Sequence, residues 1–381
     1  AVATLDLPLQ QEIEHIARAH LRELNRHDVT AAAVVVIENA TGNIRALLGS
    51  PDFSMSQING AAIRRSCGSI LKPFVYLQAL DEGRVTAATL LPDTPDAVRA
   101  VYPDYDPRNY NDRFLGPVRA RDALACSLNV PAVVVLGKVG ARRAFDRLRD
   151  WGIDFARPFD ASGAGFILGN AEVSLLDLTA AYAGLARGGA ARAPAFLEVE
   201  YQPIRALASR SATLIIQDIL ADNRARASAF GHQTALNTPQ RIAVKTGTSS
   251  GFRDAWTVGF NRDHTVGVWV GNFDRRPMTE LFAVRAAAPL WRAIMDRLLT
   301  EDQPLPEIDP EQDNLEAVPI CPLTGLRPGP ASPAPFREWF MIGTAPDEDS
   351  SLLLRYVEDR PVLHLPSEFA AWCAGPHNHL G

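Results

Sequence analysis

Three lysines occur in 381 residues, while Lys and Arg together number 38. Two of the three stand in short polar motifs. Lys72 follows Ser69 by three positions in Gly68-Ser69-Ile70-Leu71-Lys72-Pro73, and Lys245 opens Lys245-Thr246-Gly247-Thr248-Ser249. Arginine is effectively always charged, whereas a lysine withdrawn from water can give up its proton and act as a base. A chain that uses Arg almost everywhere and keeps Lys at these points suggests an amine needed for proton transfer. Serine becomes a nucleophile when a neighbouring base takes its proton. A three-residue helical spacing sets Lys72 on the Ser69 face, within reach of its hydroxyl. Burial and a second nearby cation would push Lys72 toward neutrality.

Two further motifs supply groups of the same kind. Cys126-Ser127-Leu128-Asn129 holds a hydroxyl and an amide two residues apart. In an extended or loop segment these point the same way, able to pass a proton and to hydrogen-bond an amide substrate. In the Lys245 motif, Gly247 permits close approach of a ligand backbone. Thr246 and Thr248 offer hydroxyls there, and Lys245 offers charge for a carboxylate. Taken singly, each motif has a plain reading as a helix cap, a polar turn or a polar strand end.

The elements that must position these groups are readable in outline. Gly68 and the apolar run after it predict a helix starting near Ser69, with Pro73 in the first turn where a missing N–H costs nothing. That puts Ser69 at the positive end of a helix dipole. Residues 9–26 have amphipathic helical spacing. Residues 33–37 and 44–48 read as strands joined by a turn over 39–43. Residues 92–118 read as a long irregular segment of the kind that often serves function. Helical patterns follow at 120–124, 141–151, 175–187 and 211–220. Strands return at 241–245, 255–260 and 266–272, and a helix closes at 285–299. Hairpin, helical block, three strands and a helix make an α+β fold. Residues 301–335 read as a Pro-rich linker. Residues 336–381 read as a tail with strand-like pieces at 352–357 and 362–365, too small for a core of its own.

Composition narrows the class. Hydrophobic and charged contents of 47% and 22% are ordinary for a globular protein. A net charge of −6 argues against nucleic acid as a bulk partner. No apolar run reaches the roughly 18–20 residues of a membrane span, and no signal-peptide pattern is present. The chain opens on Ala1 rather than Met, which leaves room for an upstream export signal or anchor. Cys67, Cys126, Cys321 and Cys373 show no metal-ligand spacing. They allow two disulfides in three pairings, with all four reduced as the alternative. The eight histidines show no catalytic spacing, and His377 and His379 are expected in a flexible end.

In this order, SxxK, SxN and KTG, the three motifs resemble the signature of the penicillin-recognising serine transferases. More narrowly, residues 3–300 resemble the transpeptidase domain of class A penicillin-binding proteins of the 1C type. The likeness extends to Thr4–Gln10, Tyr105–Asp112, Gly116–Val118, Ala123–Val133, Glu172–Tyr182 and Gly251–Trp256, and Ile320–Gly325 is similar to the start of their C-terminal region. Cys67 and Ile70 depart from the Pro and Thr of many relatives.

The resemblance implies an antiparallel five-stranded sheet flanked by helices, a mainly helical subdomain and a small irregular or β tail. It divides the chain into a transpeptidase domain (1–300), a Pro-rich linker (301–335) and a C-terminal tail (336–381) that is a truncated accessory module. By the same resemblance, Ser69 is acylated by a D-Ala-D-Ala stem peptide and Lys72 takes its proton. Ser127 relays a proton to the departing amine, and Asn129 orients Lys72 and holds the substrate amide. Lys245, Thr246 and Thr248 bind the terminal carboxylate beside Gly247, and the backbone N–H groups of Ser69 and Thr248 form an oxyanion hole. The implied partners are donor and acceptor stem peptides, β-lactams and other wall-synthesis proteins, with no cofactor or metal. The implied place is the periplasmic face of the inner membrane, reached through an anchor outside this chain. Should the motifs converge, Cys67 and Cys126 form one candidate disulfide, with two buried thiols as the alternative; Cys321 with Cys373 is another. The rivals are a β-lactam sensor or wall-assembly scaffold, and a DD-carboxypeptidase.

Overall fold

The computed structural model describes the chain apart from residues 1, 55, 104, 110–111, 199–202, 280, 300–303, 376–377 and 379–381. His377, His379 and the start of the expected linker therefore lie outside the described residues. Strand β1 (Ala31–Glu38) sets the architecture by its alternation. Ala31, Ala33, Val35 and Ile37 enter one apolar core, and Ala32, Val34 and Val36 enter another, as the two-residue period of a strand requires. β2 (Ile44–Leu48), β3 (Ala243–Thr248), β4 (Asp254–Phe260) and β5 (His264–Gly271) complete an antiparallel sheet in the order β2–β1–β5–β4–β3. The expected α+β fold and five-stranded sheet are present.

Helix α1 (Leu7–Leu24) is capped by Asp6, whose carboxylate accepts the Leu9 N–H at 3.1 Å. The helical block comprises α2 (Lys72–Asp81), α3 (Ala120–Ala125), α4 (Asn129–Val139), α5 (Ala141–Asp150), α6 (Leu175–Ala186), α7 (Arg210–Ala221) and α8 (Asn223–Phe230). α9 (Ala288–Leu298) follows the sheet. Residues of α1 and α9 fill the core on one face of the sheet, and α6 packs on the other with the rest of the block behind it. α6 lies so close to β5 that a Cβ on Gly267 would sit 2.0 Å from Thr179 Oγ1. Trp151, Trp256 and Trp291 are buried in the core.

α4 is absent from the sequence-based outline. Its run Val-Pro-Ala-Val-Val-Val-Leu is buried nearly all round, so it carries no amphipathic stripe. The segment at 92–118 is also more ordered than expected. Leu90–Asp93 pairs antiparallel with Gly116–Arg119, closing the intervening residues into a loop.

In the tail, β6 (Leu315–Ile320) pairs with β7 (Phe336–Met341), and β8 (Leu354–Val357) with β9 (Arg360–Leu363). β6 falls within the span read as linker. The β6–β7 hairpin is clamped to the block by a buried ion pair. Arg121 of α3 donates to both carboxylate oxygens of Glu338 on β7, at 2.7 and 2.6 Å, and also meets Asp218 and Asp222. No described helix is long and apolar enough to cross a membrane.

Candidate active site

Ser69 lies on a tight turn pressed against the edge strand of the sheet. Gly68–Leu71 forms a 3-10 turn that runs into α2, with Pro73 in the first turn of that helix. The turn is held from three sides. Trp256 Nε1 donates to Ser66 O at 2.8 Å, and Tyr182 Oη donates to Ile70 O at 2.6 Å. On the third side the turn meets β3 backbone to backbone. Gly68 has φ +57°, a conformation suited to glycine. A Cβ there would lie 2.5 Å from Thr248 O, and one on Gly247 would lie 2.2 Å from Cys67 O. Two glycines thus allow the SxxK turn and the KTG strand to touch.

The SxN motif arrives from the opposite side, on the short turn between two helices. α3 ends at Ala125, Ser127 adopts φ +59°, and Asn129 is already the first residue of α4. A left-handed residue between two helices is strained for a non-glycine. It turns the Ser127 carbonyl toward Lys72 and its hydroxyl toward Lys245. Lys72 Nζ donates to Ser127 O at 2.7 Å, Leu128 O at 3.0 Å and Asn129 Oδ1 at 2.7 Å. Lys245 Nζ donates to Ser127 Oγ at 2.7 Å and Thr246 O at 2.9 Å. The expected pairing of Lys72 with the Ser69 hydroxyl is not among these bonds, because the 127–129 turn occupies the amine with three acceptors.

Both lysines are buried, at 0% and 3% exposure. Burial first, then the nearby Lys245 cation, holds Lys72 well below the usual lysine range, with Asp93 pulling the other way. Burial followed by the buried Arg226 guanidinium lowers Lys245 to about 7. Ser69, Ser127, Asn129, Thr246 and Thr248 line one cleft of about 950 Å³. Lys72 and Lys245 lie behind its wall. Thr248 Oγ1 accepts the Ala283 N–H at 3.1 Å, which directs its own O–H elsewhere. Arg108 and Arg285 also line the cleft, and no Asp or Glu does among the described residues. Glu172 pairs instead with Arg275 at 2.6 Å.

Neither candidate disulfide forms. All four cysteines are free thiols. The motifs do converge, but the Cys67 thiol turns toward Ala171 O, whereas Cys126 Sγ meets Ser228 Oγ at 3.0 Å and Ala225 O at 3.2 Å on α8. Burial pushes Cys67 up to about 12 and raises Cys126 as well, so neither forms a thiolate readily.

Several residues around the site escaped the sequence. Asp93 and Asn109 stand behind Asn129. Arg65 and Asp254 form a buried pair at 3.3 Å, near Ser249 and Trp269. No spacing rule marks these residues. Asn109 and Asp254 do fall within the stretches of likeness Tyr105–Asp112 and Gly251–Trp256, but neither stretch has a repeat or spacing that singles them out.

Comparison with known proteins agrees with this geometry. Residues 32–296 match the family described as "Penicillin binding protein transpeptidase domain". The chain is 35% identical to penicillin-binding protein 1C of Escherichia coli over 328 residues, which are 84% of this chain and 40% of that protein. It is 31% identical to penicillin-binding protein 1A of Aquifex aeolicus over 302 residues, 74% of this chain and again 40% of the relative. The chain thus spans well under half of these relatives. Among solved structures, penicillin-binding protein 1A from Haemophilus influenzae superposes with a TM-score of 0.71 at 22% identity, covering 84% of this chain and 54% of that one. PonA1 from Mycobacterium tuberculosis, solved in complex with penicillin V, gives 0.67 at 22% identity, covering 81% and 87%. With the SxxK, SxN and KTG motifs gathered at one cleft, the chain belongs to the penicillin-binding protein transpeptidase domain family.

Proposed function

We propose that the chain is a serine DD-transpeptidase that cross-links peptidoglycan stem peptides and is acylated by β-lactams at Ser69. The observation that carries this is the placing of Ser127 between two buried lysines, its carbonyl on Lys72 and its hydroxyl on Lys245. Ser69 Oγ attacks the carbonyl carbon of the penultimate D-Ala and gives its proton to the neutral form of Lys72, which burial favours and which donates to two of its three acceptors, its lone pair turned to Ser69. The amide C–N bond breaks, and Ser127 passes a proton to the departing D-Ala amine. Lys245, Thr246 and Thr248 receive the substrate carboxylate beside Gly247. Asn129 holds the substrate amide and orients Lys72. The backbone N–H groups of Ser69 and Thr248, brought together by the Gly68 and Gly247 contacts, stabilise the oxyanion. An amine from a second stem peptide then attacks the ester, and Ser69 recovers its proton.

The two arginines of the cleft, with no Asp or Glu among its described lining residues, suit an anionic donor. Among the described lining residues there is also no carboxylate of the kind a class A β-lactamase uses to activate its hydrolytic water. We include in this reading a transpeptidase domain at 1–300, a linker at 301–335 whose strand β6 pairs into the tail, and an accessory tail at 336–381. The same reading includes work at the periplasmic face of the inner membrane, beside other wall-synthesis proteins.

Intact-protein mass after incubation with benzylpenicillin, beside Ser69→Ala, tests the site. One stable adduct on the unaltered chain and none on the variant is the expected result; no adduct on folded protein would refute an acylable Ser69. Turnover of a D-Ala-D-Ala donor with an acceptor amine then separates a transpeptidase from a sensor, which acylates without forming cross-linked product.

A further inference from the structure

The loop between Asp93 and Gly116 grips Asn129 twice. Asn129 N–H donates to Asn109 Oδ1 at 2.8 Å, and Asn129 Nδ2 donates to Arg108 O at 2.6 Å. The second bond decides which way the amide faces. With Nδ2 committed to Arg108, Oδ1 is presented to Lys72 at 2.7 Å. Asn109 is itself fixed, since its Nδ2 meets both oxygens of Asp93, at 2.8 and 2.9 Å, and Arg113 O at 2.8 Å. Asp93 is fully buried and also accepts the Leu115 N–H at 2.8 Å. A buried carboxylate is costly unless donors meet it. Among the described residues both donors, Asn109 and Leu115, come from this loop, so the charge of Asp93 ties the loop down. The remaining face of Asn109 is spent on Asn129.

We propose that Asn109, seated on the buried carboxylate of Asp93, is a positioning residue for the Asn129–Lys72 contact, so that the 94–115 loop sets the base for acylation. This rests on Ser69 being the acylated nucleophile. Removing Asn109 leaves the Asn129 N–H without its acceptor and releases the Arg108 carbonyl, so the Asn129 amide can rotate away from Lys72. Exchanging donor and acceptor across the Asp93–Asn109 pair should preserve the function. In Asp93→Asn with Asn109→Asp, the new amide donates to the new carboxylate, which still accepts from Asn129, and only the Arg113 carbonyl loses its donor.

Stopped-flow labelling of the full chain with a fluorescent penicillin separates affinity of the first complex from the acylation step, with melting temperature as the fold control. Asn109→Ala is expected to slow the acylation step about 10–100-fold, the scale of a small misplacement of a reacting group, with little change in affinity. Asn109→Asp, which sets two carboxylates face to face, is expected to slow it as well. Adding Asp93→Asn to that variant should return the rate to within about fivefold of the unaltered chain, as coupled partners do. Should Asn109→Ala fail to fold, the Asn109→Asp variant and the exchanged pair decide alone. An unchanged acylation step in a folded but less stable Asn109 variant would overturn the proposal, as would an exchanged pair no faster than Asn109→Asp. An unaltered chain that takes no label would instead overturn the acylation reading itself.

Discussion

At position 72 a lysine and an arginine would bring the same formal charge but different chemistry. The amine at Lys72 is fully buried among three acceptors, and burial together with Lys245 lowers its proton affinity. A guanidinium cannot be deprotonated there. Lys72→Arg is therefore expected to slow penicillin acylation about 10²–10⁴-fold, the usual worth of a general base. Gel fluorescence with a labelled penicillin would read this, and near-normal labelling would remove Lys72 from the role. Lys245 gives a prediction about pH. Its folded value of about 7 lies below the ordinary 10.5. Between these two values the unfolded chain binds a proton that the folded chain does not, so stability rises with pH across this window. Below about pH 7 both states hold the proton and the contribution is flat. Lys245→Met should show a shallower rise in melting temperature from pH 7 to pH 9 than the unaltered chain; equal slopes would contradict a lowered Lys245. These residues were legible in the sequence because lysine is so scarce in it. Asp93 and Asn109 were not, because Asp and Asn are common in loops and only burial distinguishes these two.

Among the elements, the meeting of the SxxK turn with β3 decides whether the motifs work together. A methyl group on Gly247 would overlap the Cys67 carbonyl, and backbone cannot move aside as a flexible side chain can. Gly247→Ala is expected to cost about 1–3 kcal/mol of stability and to separate Ser69 from Thr248. Urea unfolding and acylation rate should fall together; a variant of normal stability and rate would mean the two backbones have slack. The strands were readable because alternation is direct evidence of a strand. α4 was not, since a helix buried on all sides has no polar face to mark its period. The left-handed turn at Ser127 was hidden for a related reason. It is imposed by the two helices it joins, and a serine has no local preference for it.

On the scale of the whole molecule, the tail is fastened to the element that leads into the SxN turn. Glu338 is fully buried and Arg121 nearly so, and the pair joins β7 to α3. Glu338→Gln is expected to destabilise the chain toward the lower end of the about 3–5 kcal/mol typical of breaking a buried pair, because Asp218 and Asp222 remain beside Arg121. Urea denaturation would measure it, and a loss below about 0.5 kcal/mol, the range of surface substitutions, would mean that the tail merely rests on the block. The scarcity and burial of lysine have one more consequence, for handling the protein. Lys138 is exposed, while Lys72 and Lys245 are sealed inside the fold. Among the lysine side chains, an amine-reactive ester should therefore attach at Lys138 alone while the domain stays closed. That gives a single lysine tether, and acylation at 72 or 245 by such a reagent would record each time the site had opened.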